Sequence, residues 1–210
     1  MSRFFDLFQV FALVCLLGLG FGRAFLLYSR GIRVVVIDRQ RSMAQTLVEI
    51  CFLVCFFLWV YEIVAYAWPL RVHFAPQCLG TVIVAAVAIK VVGVVLLVAG
   101  LLIYGMALWA MGESWRIGID RNAPGALVTL GVFAWTRNPI YIALDLFAVG
   151  TFLVQVRLFF LLLAILMVVM FHYQIRREER FLMLTYEDAY RDYCKRVGRY
   201  GTFPKFSRGN

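Results

Sequence analysis

The sequence predicts an all-α, polytopic membrane protein with about five transmembrane helices and a C-terminal cytoplasmic amphipathic helix. Two observations carry that class. Of 210 residues, 63% are hydrophobic and 16% charged, with a mean hydropathy of +0.85; soluble domains hold roughly 45–50% apolar and about 25% charged residues. The apolar residues are also gathered into five runs, three of which exceed the roughly 20 residues that span a bilayer's hydrocarbon core.

Those three are Phe4 to Leu27, Ala44 to Trp68 and Thr81 to Met111. The first is long, follows Arg3 and Asp6, and lacks a small-residue cleavage pattern before its basic flank, so it is expected to stay as a span rather than be removed as a signal. Pro139 to Gln155 and Leu158 to Tyr173 are of about the minimum length, and Arg157 is the only charge between them, which predicts a tight hairpin. Ahead of the hairpin, Gly112, Gly118, Pro124, Gly125 and Gly131 break helix and predict an irregular connection from Gly112 to Arg137. Irregular backbone beside a membrane needs partners for its polar groups, either solvent or a bound polar cofactor. Asn138 suits an N-cap and Pro139 the first helical position, so the fourth helix is expected to start there.

From Arg176 to Val197, Phe181, Leu182, Leu184, Tyr186, Tyr190, Tyr193 and Val197 recur at spacings near three and four among Arg, Glu and Asp, the pattern of an amphipathic helix. Its apolar side has two places to lie, the bilayer surface or the Gly112 to Arg137 connection, and Phe203-Pro204 closes it. The chain thus divides into a three-span region, 1–111, and a polar-rich region, 112–210.

Seventeen of the 21 Lys and Arg follow span one, span three or residue 175. The positive-inside rule then places the C-terminus in the cytoplasm and the N-terminus outside. This distribution explains the net charge of +9 by attraction to anionic lipid and leaves no reason to invoke nucleic acid. Cys15, Cys51, Cys55, Cys78 and Cys194 form neither a disulfide framework nor a metal-ligand spacing, and Cys51 and Cys55 read as helix packing.

Polar residues of chemical interest concentrate in the second region. They are Ser114-Trp115-Arg116, Leu127-Val128-Thr129, Gly131-Val132-Phe133, Arg137-Asn138-Pro139-Ile140-Tyr141, then across the hairpin Glu178-Glu179, Leu182, Tyr190, Tyr193, Val197 and Pro204. This ordered set resembles the membrane methyltransferase superfamily of isoprenylcysteine carboxyl methyltransferases and phospholipid methyltransferases. The resemblance implies S-adenosylmethionine as cofactor and a lipid or lipid-modified acceptor entering laterally at the cytoplasmic face. It implies cofactor contacts at Asp120, Gly125, Ala126, Leu127, Val128, Phe133, Asn138, Pro139, Ile140, Tyr141, Glu178 and Glu179. Physical chemistry agrees: the cofactor's sulfonium and ammonium favour carboxylates, and its carboxylate suits helix N-terminal N–H groups.

The chain departs from the family at four positions. Asn138 stands where many members have His, which keeps an N-cap and removes a titratable ring. Gln174 stands where prenylcysteine methyltransferases have an arginine for the substrate carboxylate, with Arg176 and Arg177 as the nearby replacements. Glu187 and Ala143 each replace a glycine. The Gln174 substitution argues against carboxyl methylation.

Methyl transfer needs positioning and exclusion of water more than acid–base help, so no obligatory covalent residue is expected. An amine acceptor would require a proton acceptor, for which Glu179 and Asp145 are the candidates, or a lipid phosphate. Asp145 shares a helix face with Tyr141, as a cavity-lining group or as a carboxylate bonded to Tyr141 or a neighbouring helix. His172 reads as an interfacial residue, and Glu62 and Lys90 as a snorkelling or mutually paired couple near the outer surface.

Two other functions fit parts of the pattern. A sterol-reductase-like enzyme would use NADPH in a related C-terminal half but needs more cations than Arg116, Arg121 and Arg137 provide. A small transporter or assembly protein would use Glu62 and Lys90 and leave the 137–141 and 178–179 motifs unexplained. A bacterial inner membrane suits the short chain.

Overall fold

The computed structural model describes residues 2–32, 34, 43–68, 70, 72–74, 76, 78–83, 86–116 and 125–201. Asp120, Arg121 and Pro204 lie outside the described residues. Five α-helices follow in order: α1 (Ser2–Ser29), α2 (Met43–Ala67), α3 (Val87–Met111), α4 (Pro139–Gln155) and α5 (Leu158–Arg196). All but α4 are long and apolar enough to cross a membrane, and α4 is a shorter apolar helix. The chain is therefore an all-helical polytopic membrane protein. Large apolar side chains such as Phe11, Phe25, Phe57 and Trp109 are exposed on these helices, as expected where the surrounding medium is as apolar as leucine.

Helix α3 begins at Val87 rather than Thr81: its N-cap Ala86 is extended, and Val82 and Ile83 are held by the hairpin. Val82 pairs antiparallel with Arg157, and the Ile83 N–H donates to the Val156 carbonyl at 2.8 Å. The Arg157 guanidinium donates to the Gly80 carbonyl and lies 4.1 Å from the Tyr66 ring centre. The lone charge of the hairpin thus ties down the α2–α3 connection. On the same side Glu62 is fully buried and accepts from the Phe74 N–H at 2.7 Å, with His73 Nδ1 2.9 Å away. Lys90 instead lies 5.8 Å from the Phe5 ring centre, so the expected Glu62–Lys90 couple gives way to partners from the loop and from α1.

The fifth span runs on without a break into the first half of the amphipathic segment. The 39 residues of α5 are two helices joined by a bend at Glu187, and the first of them, from Leu158 to Tyr186, is roughly 44 Å long, well over the hydrocarbon core of about 30 Å. At the bend, the Glu187 φ of 42° and ψ of −114° are non-helical. Only glycine adopts that conformation freely, which accounts physically for the glycine expected there. Glu187→Gly is expected to stabilise the fold by about 1 kcal/mol, the low end of the strain of such a residue, read as a higher thermal midpoint in detergent. An unchanged or lower midpoint would contradict the strain.

Helices α3 and α4 meet backbone to backbone. A Cβ at Gly93 would lie 2.8 Å from the Gly150 carbonyl oxygen, and one at Gly100 2.8 Å from that of Ala143. The seven-residue spacing on both helices keeps the small residues on one face, allowing the close approach typical of membrane helix pairs. On α4's other side Phe147 is fully buried against the Trp59 ring, 5.6 Å between centres, and Phe171 meets Phe52 at 5.5 Å and Tyr141 at 5.8 Å.

The length of α4 positions the site. Its 17 residues rise roughly 25 Å, short of the core thickness of about 30 Å. With its far end held at the hairpin, the polar start of α4 stops roughly one turn short of a full crossing. Glu178 lies the same distance along α5 or slightly beyond, so the two polar motifs meet at one depth.

Candidate active site

Asn138 stands at the N-cap position and Pro139 at the first turn of α4, but the Asn138 side chain makes no capping bond. Its amide donates instead to Glu179 Oε1 and to the Arg199 carbonyl, both at 3.3 Å. A cap uses the side-chain oxygen, and with the NH₂ anchored on Glu179 and Arg199 that oxygen makes no bond to the first turn of α4. The Asn138 N–H finds Thr136 Oγ1 at 3.3 Å, and that hydroxyl donates to the Arg199 carbonyl at 2.9 Å.

The adjacent glutamates face different neighbours, as successive helical residues must. Glu178 Oε1 accepts from the Tyr141 hydroxyl at 2.5 Å and from Gln174 Nε2 at 3.1 Å. Gln174 Oε1 accepts in turn from Arg177 at 3.2 Å, and Arg177 reaches Glu49 of α2 at 3.7 Å. One polar chain thus joins α4, α5 and α2, and Gln174 occupies its middle. Arg177 is largely buried within it, while Arg176 is exposed.

Glu179 is buried and doubly paired. Arg199 reaches Oε2 through Nη2 at 2.6 Å and Nε at 2.9 Å, and Arg137 lies 3.3 Å from Oε1. Hydrogen bonding to Glu179 pushes the Arg199 guanidinium above its usual value, so it stays charged. Arg137 also touches Cys194, lies 5.9 Å from the Tyr190 ring centre, and through its N–H holds the Gly198 carbonyl at 3.1 Å. Arg199 was not singled out from the sequence. Its one signal there was an Arg-aromatic pair set between Gly198 and Gly201.

The extension of α5 covers the connection rather than lying apart from it. Tyr193 donates to the Phe133 carbonyl at 2.6 Å and Tyr186 to the Gly125 carbonyl at 3.0 Å. Ser114 Oγ accepts from the Ala126 N–H at 3.3 Å, while Gly125 takes φ +77° above Ser114. Phe133 is buried, Leu127 packs on Tyr190, Tyr193 and Val197, and Val128 is half-buried beside them. Ile140 packs with Trp115, Leu108 and Leu27. The described residues 125–128, 133, 138–141 and 178–179 therefore surround one corner where α4 starts.

Asp145 makes no hydrogen bond with Tyr141, whose hydroxyl goes to Glu178. It lines a groove of about 350 Å³ with Val168, Val169, His172 and Tyr200, and its buried Oδ1 has no hydrogen-bond partner among the described residues. His172 Nδ1 is hydrogen-bonded to the Tyr200 hydroxyl, with the rings stacked at 5.9 Å and 26°. No cluster of three or more metal-ligating side chains occurs among the described residues.

No curated protein matches the chain. The family model described as phospholipid methyltransferase matches residues 88–189, from the first turn of α3 to just past the bend in α5. The match contains the Arg137 to Tyr141 segment, the glutamate pair and most of the polar chain that joins them. Residues 88–189 are thus similar to the phospholipid methyltransferase family, within the membrane methyltransferase superfamily.

Proposed function

We propose that the protein transfers a methyl group from S-adenosylmethionine to a lipid or lipid-modified acceptor at the cytoplasmic face of its membrane, with region 112–210 holding the cofactor. The observation that carries this reading is the joining of Tyr141 to Glu178 and of Asn138 to Glu179. Those bonds draw the start of α4, the 125–137 connection and α5 around one corner.

The residues present fit the cofactor. Both hydrogen bonds to Glu178 among the described residues land on Oε1, which leaves its other oxygen to face a cation. The first N–H groups of α4, at Ile140 and Tyr141, have no intrahelical acceptor and suit a carboxylate. Phe133, Leu127 and Val128 offer apolar cover for a purine beside the exposed backbone of Gly125 and Ala126. When bound, S-adenosylmethionine supplies an electrophilic methyl group on a sulfonium. The chain's residues hold charge, exclude water through the α5 extension, and align the acceptor.

The arginines argue against a phosphorylated nicotinamide cofactor. Arg116 is turned to the carbonyls of Glu113 and Trp115, at 2.5 and 2.9 Å, and Arg137 to Glu179. The basic residues flanking α5 support a cytoplasmic C-terminus.

Membranes containing the protein, incubated with methyl-labelled S-adenosylmethionine, are expected to accumulate label in the organic-solvent extract. Glu178→Ala should reduce that label at least tenfold, a loss of about 1.4 kcal/mol or more in transition-state stabilisation. Equal labelling of membranes lacking the protein would overturn the reading.

A further inference from the structure

Three carboxylates stand near the start of α4, and their surroundings differ. Glu179 is neutralised by Arg199 and Arg137. Glu178 accepts from Tyr141 and Gln174. Asp145 alone among the three has a buried oxygen without a partner among the described residues, and it lines a groove.

An intramembrane carboxylate left without a protein partner is costly and marks a functional position. His172 and Tyr200 share a hydrogen bond with each other, and neither bonds Asp145 Oδ1. The groove's volume of about 350 Å³ falls within the range of roughly 300–1,000 Å³ common for ligand sites. Its rim is open, with Val169 59% and Tyr200 49% exposed, and Val169 belongs to the apolar run of α5. The missing donor is therefore expected from a molecule that comes from the bilayer with an apolar tail along Val168 and Val169.

We infer that Asp145 is the catalytic proton acceptor for an amphiphile whose reacting nitrogen or oxygen carries a proton and enters by this groove. The inference rests on the methyltransferase reading and deepens it. The acceptor's N–H or O–H bond breaks, its proton goes to Asp145 Oδ1, and the freed electron pair bonds the methyl carbon. The carbon–sulfur bond of the sulfonium donor breaks, and its electron pair stays on sulfur. A carboxylate head brings no proton at neutral pH and meets repulsion from Asp145.

The test uses the full chain in lipid nanodiscs, wild type and Asp145→Asn, with three single-tailed probes: dodecylamine, 4-octylphenol and dodecanoate. Wild type is expected to methylate the amine, the phenol or both, and to leave dodecanoate unmodified. Transfer to the amine alone assigns a nitrogen head, and transfer to the phenol alone an oxygen head. Asp145→Asn should lower kcat by about 10²-fold or more, the usual contribution of a general base, while keeping its affinity for S-adenosylhomocysteine. Independently of turnover, the heat of binding of the accepted probe to protein saturated with S-adenosylhomocysteine, measured against empty nanodiscs, should be lost in the variant.

Asp145→Asn that turns over and binds the probe as wild type does overturns the inference, as does preferential methylation of dodecanoate or transfer to none of the three. Wild type that fails to bind S-adenosylhomocysteine overturns the methyltransferase reading itself, and this inference with it. Retained cofactor affinity in the variant separates the two failures and reports an intact fold.

Discussion

Glu179→Ala is expected to release the segment from Val197 to Gly201 from the bundle and to lower stability by roughly 3 kcal/mol, the low end for breaking a buried ion pair by removing one partner. Glu179 receives Arg199, Arg137 and Asn138, and removing it leaves two guanidinium groups facing each other in a largely buried corner. Glu179→Gln keeps the shape and the Asn138 contact but removes the charge, so a smaller loss is expected. Faster amide exchange at Arg199 and Tyr200 reads release of the segment, and the thermal midpoint in detergent reads the loss of stability. Because Tyr200 forms one wall of the Asp145 groove, the released segment should also weaken binding of an acceptor analogue. A variant as stable and as protected as wild type would mean that the Glu179 cluster does not hold the tail.

Gly100→Leu is expected to cost about 3 kcal/mol or more, because overpacking against fixed backbone sits at the top of the range for inserted core volume. The new Cβ would lie 2.8 Å from the Ala143 carbonyl oxygen and 3.4 Å from the Phe147 nitrogen, so α3 must move off α4. That displacement carries the start of α4, and with it Tyr141 and Asn138. Gly18→Leu is the control, since a Cβ there meets nothing within 4 Å and leucine is at home in lipid. The comparison is made by unfolding in mixed micelles of increasing denaturing-detergent fraction. Equal stability of the two variants would contradict the close α3–α4 packing.

The membrane spans were legible because hydrophobic transfer is a local, additive property of sequence. Pro139 and Gln155 bound α4 in the structure as the pattern predicts. The start of α3 was not, because an apolar run does not reveal that Val82 will pair with Arg157. The run of the last span into the amphipathic segment was also hidden, since polarity changes near Arg176 while the helix continues to the bend at Glu187. The glycines of α3 and α4 carry no apolar signal at all, and their role emerges only from which backbone lies opposite.

At the site, Tyr141 meets Glu178 and Asn138 meets Glu179, and which partner each residue takes depends on long-range geometry. Asn138 has the composition of a cap and spends its amide on Glu179 and Arg199 instead. Asp145 and Tyr141 share a face, yet the Tyr141 hydroxyl goes to Glu178 across the helix pair. Arg199 sits in a short glycine-flanked segment with no periodicity, and nothing local foretells that it closes on Glu179.

The most direct test of the central claim is calorimetric titration of S-adenosylhomocysteine into the purified protein, beside Glu178→Ala and with NADPH as a control ligand. Saturable binding to wild type, weakened at least tenfold in Glu178→Ala and absent for NADPH, is the expected result. Folded wild-type protein that binds NADPH and not S-adenosylhomocysteine would contradict the assignment of this corner to a methyl-donor cofactor.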